Sequence, residues 1–181
     1  LLVPQRTQNN IPVFDSGLAD FNFATIFSDN VYAGVDRIAD ANQITAALTS
    51  RLIDPQSGEE YVRGMVGQRY YFAKQHVTLP GEPARPGGAS DFLAALSGRL
   101  MPNTYMDTAW QYDPRDGETE RFSIGGRWQP EVAKVLNASY RYTRDHSGIV
   151  GGNTGIRQVD FSGQWPLGRG WYGVGRFNYS L

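Results

Sequence analysis

From Gln43 to Ile53 apolar and polar positions alternate as they do along a half-buried strand: Ile44, Ala46, Leu48, Ser50 and Leu52 share one face, and Gln43, Thr45, Ala47, Thr49 and Arg51 the other. Asp54-Pro55-Gln56-Ser57-Gly58 reads as a turn, with Pro to preset φ and Gly to accept positive φ. The next strand sets Val62, Gly64, Val66, Gln68, Tyr70 and Phe72 against Tyr61, Arg63, Met65, Gly67, Arg69 and Tyr71. After a Pro- and Gly-rich loop from Lys74 to Ser90, Phe92, Ala94, Leu96, Gly98 and Leu100 alternate with Asp91, Leu93, Ala95, Ser97 and Arg99. Residues 91–101 also fit a short helix capped by Ser90-Asp91, so strand and helix both remain open there.

Past Pro102-Asn103, Met106, Thr108, Trp110 and Tyr112 oppose Asp107, Ala109, Gln111 and Asp113, and a short loop follows at Pro114 to Gly117. Four more segments repeat the pattern, with apolar faces Phe122/Ile124/Gly126/Trp128, Leu136/Ala138/Tyr140/Tyr142, Val159/Phe161/Gly163/Trp165 and Trp171/Gly173/Gly175/Phe177/Tyr179. Their reverse faces carry Arg121, Arg127, Arg141, Asp160 and Arg176 among Ser, Asn and Gln. Residues 1–40 lack this order and read as the end of a preceding strand plus a long extracellular loop, broken only by an aromatic patch at Phe21, Phe23 and Phe27. Residues 41–181 read as about eight antiparallel strands.

Alternation alone fits a soluble sandwich as well as a membrane barrel. Two features favour the barrel. Rings collect near strand ends on the apolar face (Tyr70, Phe72, Trp110, Tyr112, Trp128, Tyr140, Tyr142, Trp165 and Trp171), as in the interfacial girdles of outer-membrane barrels. Connections also alternate in length: those near Asp54, Asn103, Pro130 and Leu167 are tight, whereas Lys74 to Ser90 and His146 to Gly155 are long, with Pro114 to Gly117 the exception. Arg144, Arg157, Glu118, Glu120 and Lys134 fall on the apolar parity but at strand ends, where a charge costs about 0 to 1 kcal/mol against roughly 2 to 4 at the midplane. A crowded, arginine-rich inner face suits a wide wet lumen. The chain is therefore expected to be a transmembrane β-barrel segment, part of a larger barrel.

Composition agrees with this picture and removes other classes. Tyr, Phe and Trp make up 13% of the residues and Gly numbers 21, an excess that suits sheets with many turns. The 17 Lys and Arg are scattered singly around a net charge of −1, which leaves no basic stripe for nucleic acid. There is no cysteine, and no apolar run long enough for a membrane helix. The N-terminus does not have the layout of a signal peptide. His76 and His146 both lie in loops, so no catalytic residue, metal site or cofactor is expected and the chain does not read as an enzyme. Gly168-Arg169-Gly170-Trp171-Tyr172-Gly173 matches a dinucleotide-binding string but opens a strand rather than a helix, so the match is chance.

Several words in the sequence are more specific: Asn10-Ile11-Pro12 before Asp15-Ser16, then Tyr32-Ala33-Gly34-Val35-Asp36-Arg37-Ile38-Ala39-Asp40-Ala41-Asn42-Gln43, Thr49-Ser50-Arg51 and Val66-Gly67-Gln68-Arg69-Tyr70-Tyr71-Phe72. In these the chain resembles the lipopolysaccharide-assembly family, LptD, most densely from Asn10 to Phe72. The resemblance implies lipopolysaccharide transport and insertion into the outer leaflet of the bacterial outer membrane, by a large barrel plugged by a lipoprotein of the LptE type. It also implies a periplasmic domain, outside this stretch, that meets a lipopolysaccharide-transport bridge. A general porin or diffusion channel is the alternative expectation, and an outer-membrane lipid hydrolase is disfavoured by the position of both histidines.

Two residue sets are candidates for function. Asp36, Arg37, Ile38, Asn42 and Gln43 either order a loop that lids the lumen or form a local ion pair and turn cap. Arg51, Arg63, Arg69, Arg99, Arg121, Arg127, Arg141 and Arg176 face the lumen with Asp107 and Asp160, and either attract phosphate or pair with carboxylates and the plug.

Overall fold

The computed structural model describes residues 1–8, 10–144 and 155–181, and these contain strands and no helix. Four short strands lie in the irregular parts: β1 (Leu2–Val3), β2 (Gly17–Leu18), β3 (Tyr32–Ala33) and β6 (Gly88–Ala89). Eight long ones follow the alternating pattern: β4 (Ala41–Ile53), β5 (Glu60–Tyr71), β7 (Phe92–Met101), β8 (Thr104–Asp113), β9 (Glu118–Glu131), β10 (Lys134–Thr143), β11 (Ile156–Gly168) and β12 (Trp171–Ser180). Residues 92–101 are thus a strand: lying between β5 and β8 they pair the edges of both, which a helix here would leave without partners.

The long strands form an antiparallel meander in chain order, with β1 on the outer side of β4 and β6 on β5. Among the described residues the sheet does not close on itself. Its register keeps each face uniform across the sheet. One row runs Met106, Gly126, Ala138, Phe161, Phe177 and the next Asp107, Gly125, Ser139, Asp160, Asn178.

The apolar face is where a soluble sandwich would place its core, yet Leu48 is 67% exposed and Phe161 51%. Among the described residues no second layer covers it. The buried apolar residues are instead Ile26, Tyr32, Ala39, Ala41, Val77 and Leu93, at the loop end and on the opposite face. An apolar face of this extent, left open, belongs in hydrocarbon. Rings bracket it: Tyr70–Phe72, Trp110–Tyr112 and Phe122–Tyr140 pair at one end, and Trp128–Trp165 at the other. Phe122 and Trp128 are six strand steps apart, about 20 Å, close to the roughly 25 Å apolar band of outer-membrane barrels.

The connections at 54–59, 102–103, 132–133 and 169–170 gather at the Trp128–Trp165 end. The turn expected near Pro130 is displaced to Val132–Ala133, because β9 continues through Pro130 to Glu131. The long connection 145–154, including His146, lies outside the described residues. Asn103, Ala133 and Arg169 hold positive φ in the two-residue turns. Ala133 (φ 63°) has neither the freedom of glycine nor the side-chain oxygen of asparagine. Ala133→Gly is expected to stabilise the parent barrel by about 1 kcal/mol in a urea titration; a loss of stability would contradict this turn geometry.

A bulge corrects one face assignment. Gln111 pairs with Arg121 but Tyr112 with Thr119, so Glu120 is the extra residue and Glu118 moves to the polar register opposite Asp113. Glu120 is buried and receives Arg144 at 2.8 Å. Lys134 pairs with Glu131 at 2.8 Å, and the Arg157 guanidinium lies 5.8 Å from the Tyr142 ring.

Candidate functional site

The polar face of β4, β5 and β7–β9 is covered by the chain's own N-terminal segment. Asn22 starts a tight turn there: its Oδ1 accepts from the Ala24 and Thr25 amides at 2.8 and 3.2 Å, and its carbonyl from the Ile26 amide at 2.8 Å. The turn drives Phe23 and the fully buried Ile26 onto Gly67. A Cβ at Gly67 would lie 2.8 Å from Ile26 Cδ1 and 3.2 Å from the Ala47 Cβ, so a side chain there would push Ile26 out of its present seat. Residues 20–28 thus form a strap across the wall.

Arg69 fastens the strap. Its Nη2 donates to the carbonyls of Ile26, of Ser28 at 3.0 Å and of Thr25 at 3.5 Å, while Nε donates to Thr45 Oγ1 at 3.2 Å and Nη1 to the Tyr71 hydroxyl at 3.3 Å. The guanidinium carbon sits 5.7 Å from the Phe21 ring centre and 5.9 Å from that of Tyr71. With the residue 1% exposed, this cation is enclosed and stabilised by carbonyl dipoles and ring faces. A second fastening joins Arg121 to Asp20 at 2.8 Å.

Behind the strap, Asp36 to Asp40 knit three stretches of backbone together. Asp36 accepts from the Phe14 amide and the Ser16 hydroxyl, whereas Arg37 donates to the carbonyls of Gln8 at 2.9 Å and Ile11 at 3.4 Å. The two side chains therefore bond in different directions. The Gln8 amide grips Ile38 through both its N–H (3.0 Å) and its carbonyl (2.7 Å), and the Asn30 amide grips the Ala39 N–H (3.0 Å) and the Arg37 carbonyl (2.8 Å). The Asp40 carboxylate accepts from the amides of His76 and Val77, tying in the second loop, where Tyr32, Ala39 and Val77 form a small apolar core. Asn42 and Gln43 lie inside β4, not in the loop before it: Asn42 is exposed on the apolar parity and Gln43 is buried on the polar one.

The Ser16 hydroxyl, with the Phe14 amide, holds Asp36 well below the usual carboxylate range. At Asp40 partial burial pushes upward, but the Val77 and His76 amides outweigh it and the net shift is downward. A lowered folded-state value gives stability that is present above the unfolded carboxylate value, about 3.9, and is lost as pH falls through the folded one. Amide protection at residues 14–16 and 76–77 is therefore expected to be unchanged from about pH 7 to about pH 5 and to fail only in stronger acid. Loss already at mild acidity would contradict the roles given to both carboxylates.

The remaining polar-face arginines divide in two. Arg63 (2.9 Å) and Arg51 (3.9 Å) share Glu60, Arg99 pairs with Glu59, and Arg176 pairs with Asp160 at 2.8 Å. Arg127 and Arg141 are exposed, the former donating to Gln129 at 2.7 Å and the latter lining a cavity under Asn22 and Phe23. Asp107 lies over Gly125. Sequence reading did not single out Gln8, Asp20, Ile26, Asn30 or Gly67. The only signal was the aromatic patch, of which Phe23 turns to the wall while Phe27 stays 64% exposed.

Residues 1–171 match the sequence model of the LptD family, described as LPS transport system D. Among curated proteins the chain is similar to the LPS-assembly protein LptD of Aromatoleum aromaticum (56% identical over 98% of the chain), of an Azoarcus species (55% over 100%) and of Thiobacillus denitrificans (45% over 98%). The chain spans about 22% of the length of the first two relatives. A two-faced antiparallel sheet with an open apolar side, matched along nearly its whole length by one family, leaves a single assignment: the chain belongs to the LptD family of outer-membrane β-barrel proteins.

Proposed function

We propose that this chain is a wall segment of a non-enzymatic barrel in the bacterial outer membrane that carries lipopolysaccharide to the outer leaflet. The observation that carries the reading is the sheet's division into a continuous apolar face and a polar face under an inward strap, in a chain of the LptD family. On this reading the eight long strands are wall, and residues 4–8, 10–40 and 73–91 form a cap at the extracellular mouth, opposite the short turns. Arg69, Arg121 and the Asp36–Asp40 hub hold the cap, while Arg127 and Arg141 are left for anionic groups or a plug in the lumen.

The partners that follow are lipopolysaccharide, a plug lipoprotein of the LptE type, membrane lipid, and a periplasmic transport bridge reached through a domain outside this chain. Purification of the full-length protein from outer membranes in detergent tests the reading. Recovery of a stoichiometric small lipoprotein and bound lipopolysaccharide is expected, whereas a homotrimer with neither overturns it in favour of a porin.

A further inference from the structure

On the apolar face of β9–β12 an open groove of about 730 Å³ runs in from the Trp128–Trp165 end. Gly126, Ala138 and Gly175 form its floor, and Trp128, Phe161 and Phe177 stand along its flanks. A second hollow of about 330 Å³ shares Gly126, Ala138 and Phe161 with it and continues to Ile124 and Val159. From Trp128 to Ile124 is four strand steps, about 13 Å. That is close to half of the roughly 30 Å hydrocarbon core of a bilayer, so the groove is one leaflet deep.

Two of the floor residues are glycines with room to spare. A Cβ built on Gly126 or on Gly175 meets nothing within 4 Å. Glycine inside a strand weakens it, and often marks a bulge or the close approach of another backbone or a ligand. Neither glycine sits at a bulge, since the ladders through Met106, Gly126 and Ala138 and through Gly163 and Gly175 keep their register, and no backbone comes near either one. What the two glycines supply is depth. On a face turned to hydrocarbon, depth accommodates an acyl chain.

The mouth of the groove carries an excess of positive charge. The stretches Trp128 to Leu136 and Trp165 to Trp171 hold Lys134 and Arg169 against the one carboxylate of Glu131. Lys134 bonds Glu131 at 2.8 Å and keeps its ammonium 5.4 Å from the centre of the Trp165 ring, which lies 6.1 Å from that of Trp128. Arg169, exposed in the turn between β11 and β12, has no carboxylate partner among the described residues. The indole N–H of Trp110 donates to Thr119 at 3.1 Å, whereas those of Trp128 and Trp165 have no acceptor among the described residues.

We propose that this groove seats one phospholipid of the periplasmic leaflet, with its phosphate at Arg169 and Lys134 and one acyl chain over Gly126, Ala138 and Gly175. The ester oxygens below the phosphate accept from the two indole N–H groups, at the headgroup level such rings prefer. A bare anion leaves the groove unfilled, and an uncharged lipid leaves Arg169 unanswered. The seat rests on the preceding reading in taking this face as lipid-facing and the short turns as periplasmic.

Native mass spectrometry of the full-length protein with its lipoprotein, delipidated in detergent and titrated with dioleoyl phosphatidylglycerol, tests the seat. One saturable adduct is expected, bound about tenfold or more tightly than dioleoylglycerol, which lacks the phosphate and so the charge-assisted hydrogen bond. Arg169→Gln is expected to remove that advantage. Gly126→Leu and Gly175→Leu, whose side chains enter open space, are expected to keep or raise the urea midpoint and to weaken the adduct about tenfold by filling the groove. Ala46→Leu, equal bulk on the same face at β4, is expected to change nothing. An equal loss in Ala46→Leu would mean an unspecific lipid annulus and overturn the proposal. So would binding that survives both glycine variants, equal affinity for dioleoylglycerol, or an adduct that purified lipopolysaccharide displaces as readily as phosphatidylglycerol does. A photo-crosslinker at Phe161 that captures a protein instead of lipid would overturn it too. A barrel that keeps its lipoprotein and lipopolysaccharide but no phosphatidylglycerol refutes this seat alone, whereas a trimer without lipoprotein that still holds phosphatidylglycerol refutes the transport reading alone.

Discussion

Arg69→Met in the full-length protein is expected to release residues 20–28 from the barrel wall, with a loss of about 3 kcal/mol in local stability. The side chain answers three strap carbonyls, and each buried carbonyl left without a donor costs roughly 1 to 3 kcal/mol. Because dehydrating the guanidinium already offsets part of that gain, the net loss falls well short of the sum. Arg69→Lys is expected to be nearly as damaging. An ammonium keeps the charge, but it cannot reach Thr45, Tyr71 and the strap from one planar fork. Hydrogen exchange resolved to residues 20–28 reads the effect directly, while β7–β12 serve as internal reference. Unchanged protection of the strap in both variants would show that Ile26 and Phe23 on Gly67 suffice to hold it.

Ala138 and Ser139 are adjacent in sequence and opposite in environment, so the same substitution is expected to have very different consequences. Ala138 is exposed on the apolar face, between Gly126 and Phe161, halfway along β10. Ala138→Arg is expected to cost about 2 to 4 kcal/mol, the price of a guanidinium near the bilayer midplane. Ser139 lies in the row with Asp107 and Asp160, so Ser139→Arg gains carboxylate neighbours and is expected to be nearly neutral. Urea-dependent folding of the parent protein into lipid vesicles measures both. Equal costs at the two positions would mean that the apolar face does not meet hydrocarbon.

Much of the wall was legible in the sequence because strand periodicity is local: a face is declared by every second residue, and errors in a loop do not propagate into the next strand. Residues 91–101 resisted, since Phe92, Leu96 and Leu100 satisfy both periods and only the neighbouring ladders decide. The shift of Glu118 was hidden because a bulge is an accident of pairing, visible only once Gln111 and Tyr112 are matched to their partners. The cap was the least legible part. Arg69 looked like any other inward arginine, and its distinction lies in a strap more than forty residues away in the chain. The string from Tyr32 to Gln43 identified the family without disclosing its physical work, which is to offer the Asp36 and Asp40 carboxylates and the Arg37 guanidinium to bare backbone at Gln8, Ile11, Phe14, His76 and Val77.

The meander has a bearing on how the barrel comes together. Every long strand pairs with its nearest long neighbours along the chain, so the wall can grow one hairpin at a time over short loop closures. The strap's two fastenings close much wider circuits, 43 residues for Ile26 with Arg69 and 101 for Asp20 with Arg121. The first latch can set as soon as β5 is laid down, but the second must wait for β9. A wall built from β4 towards β12 passes through a stage in which residues 20–28 are tied to Arg69 and not yet to Arg121.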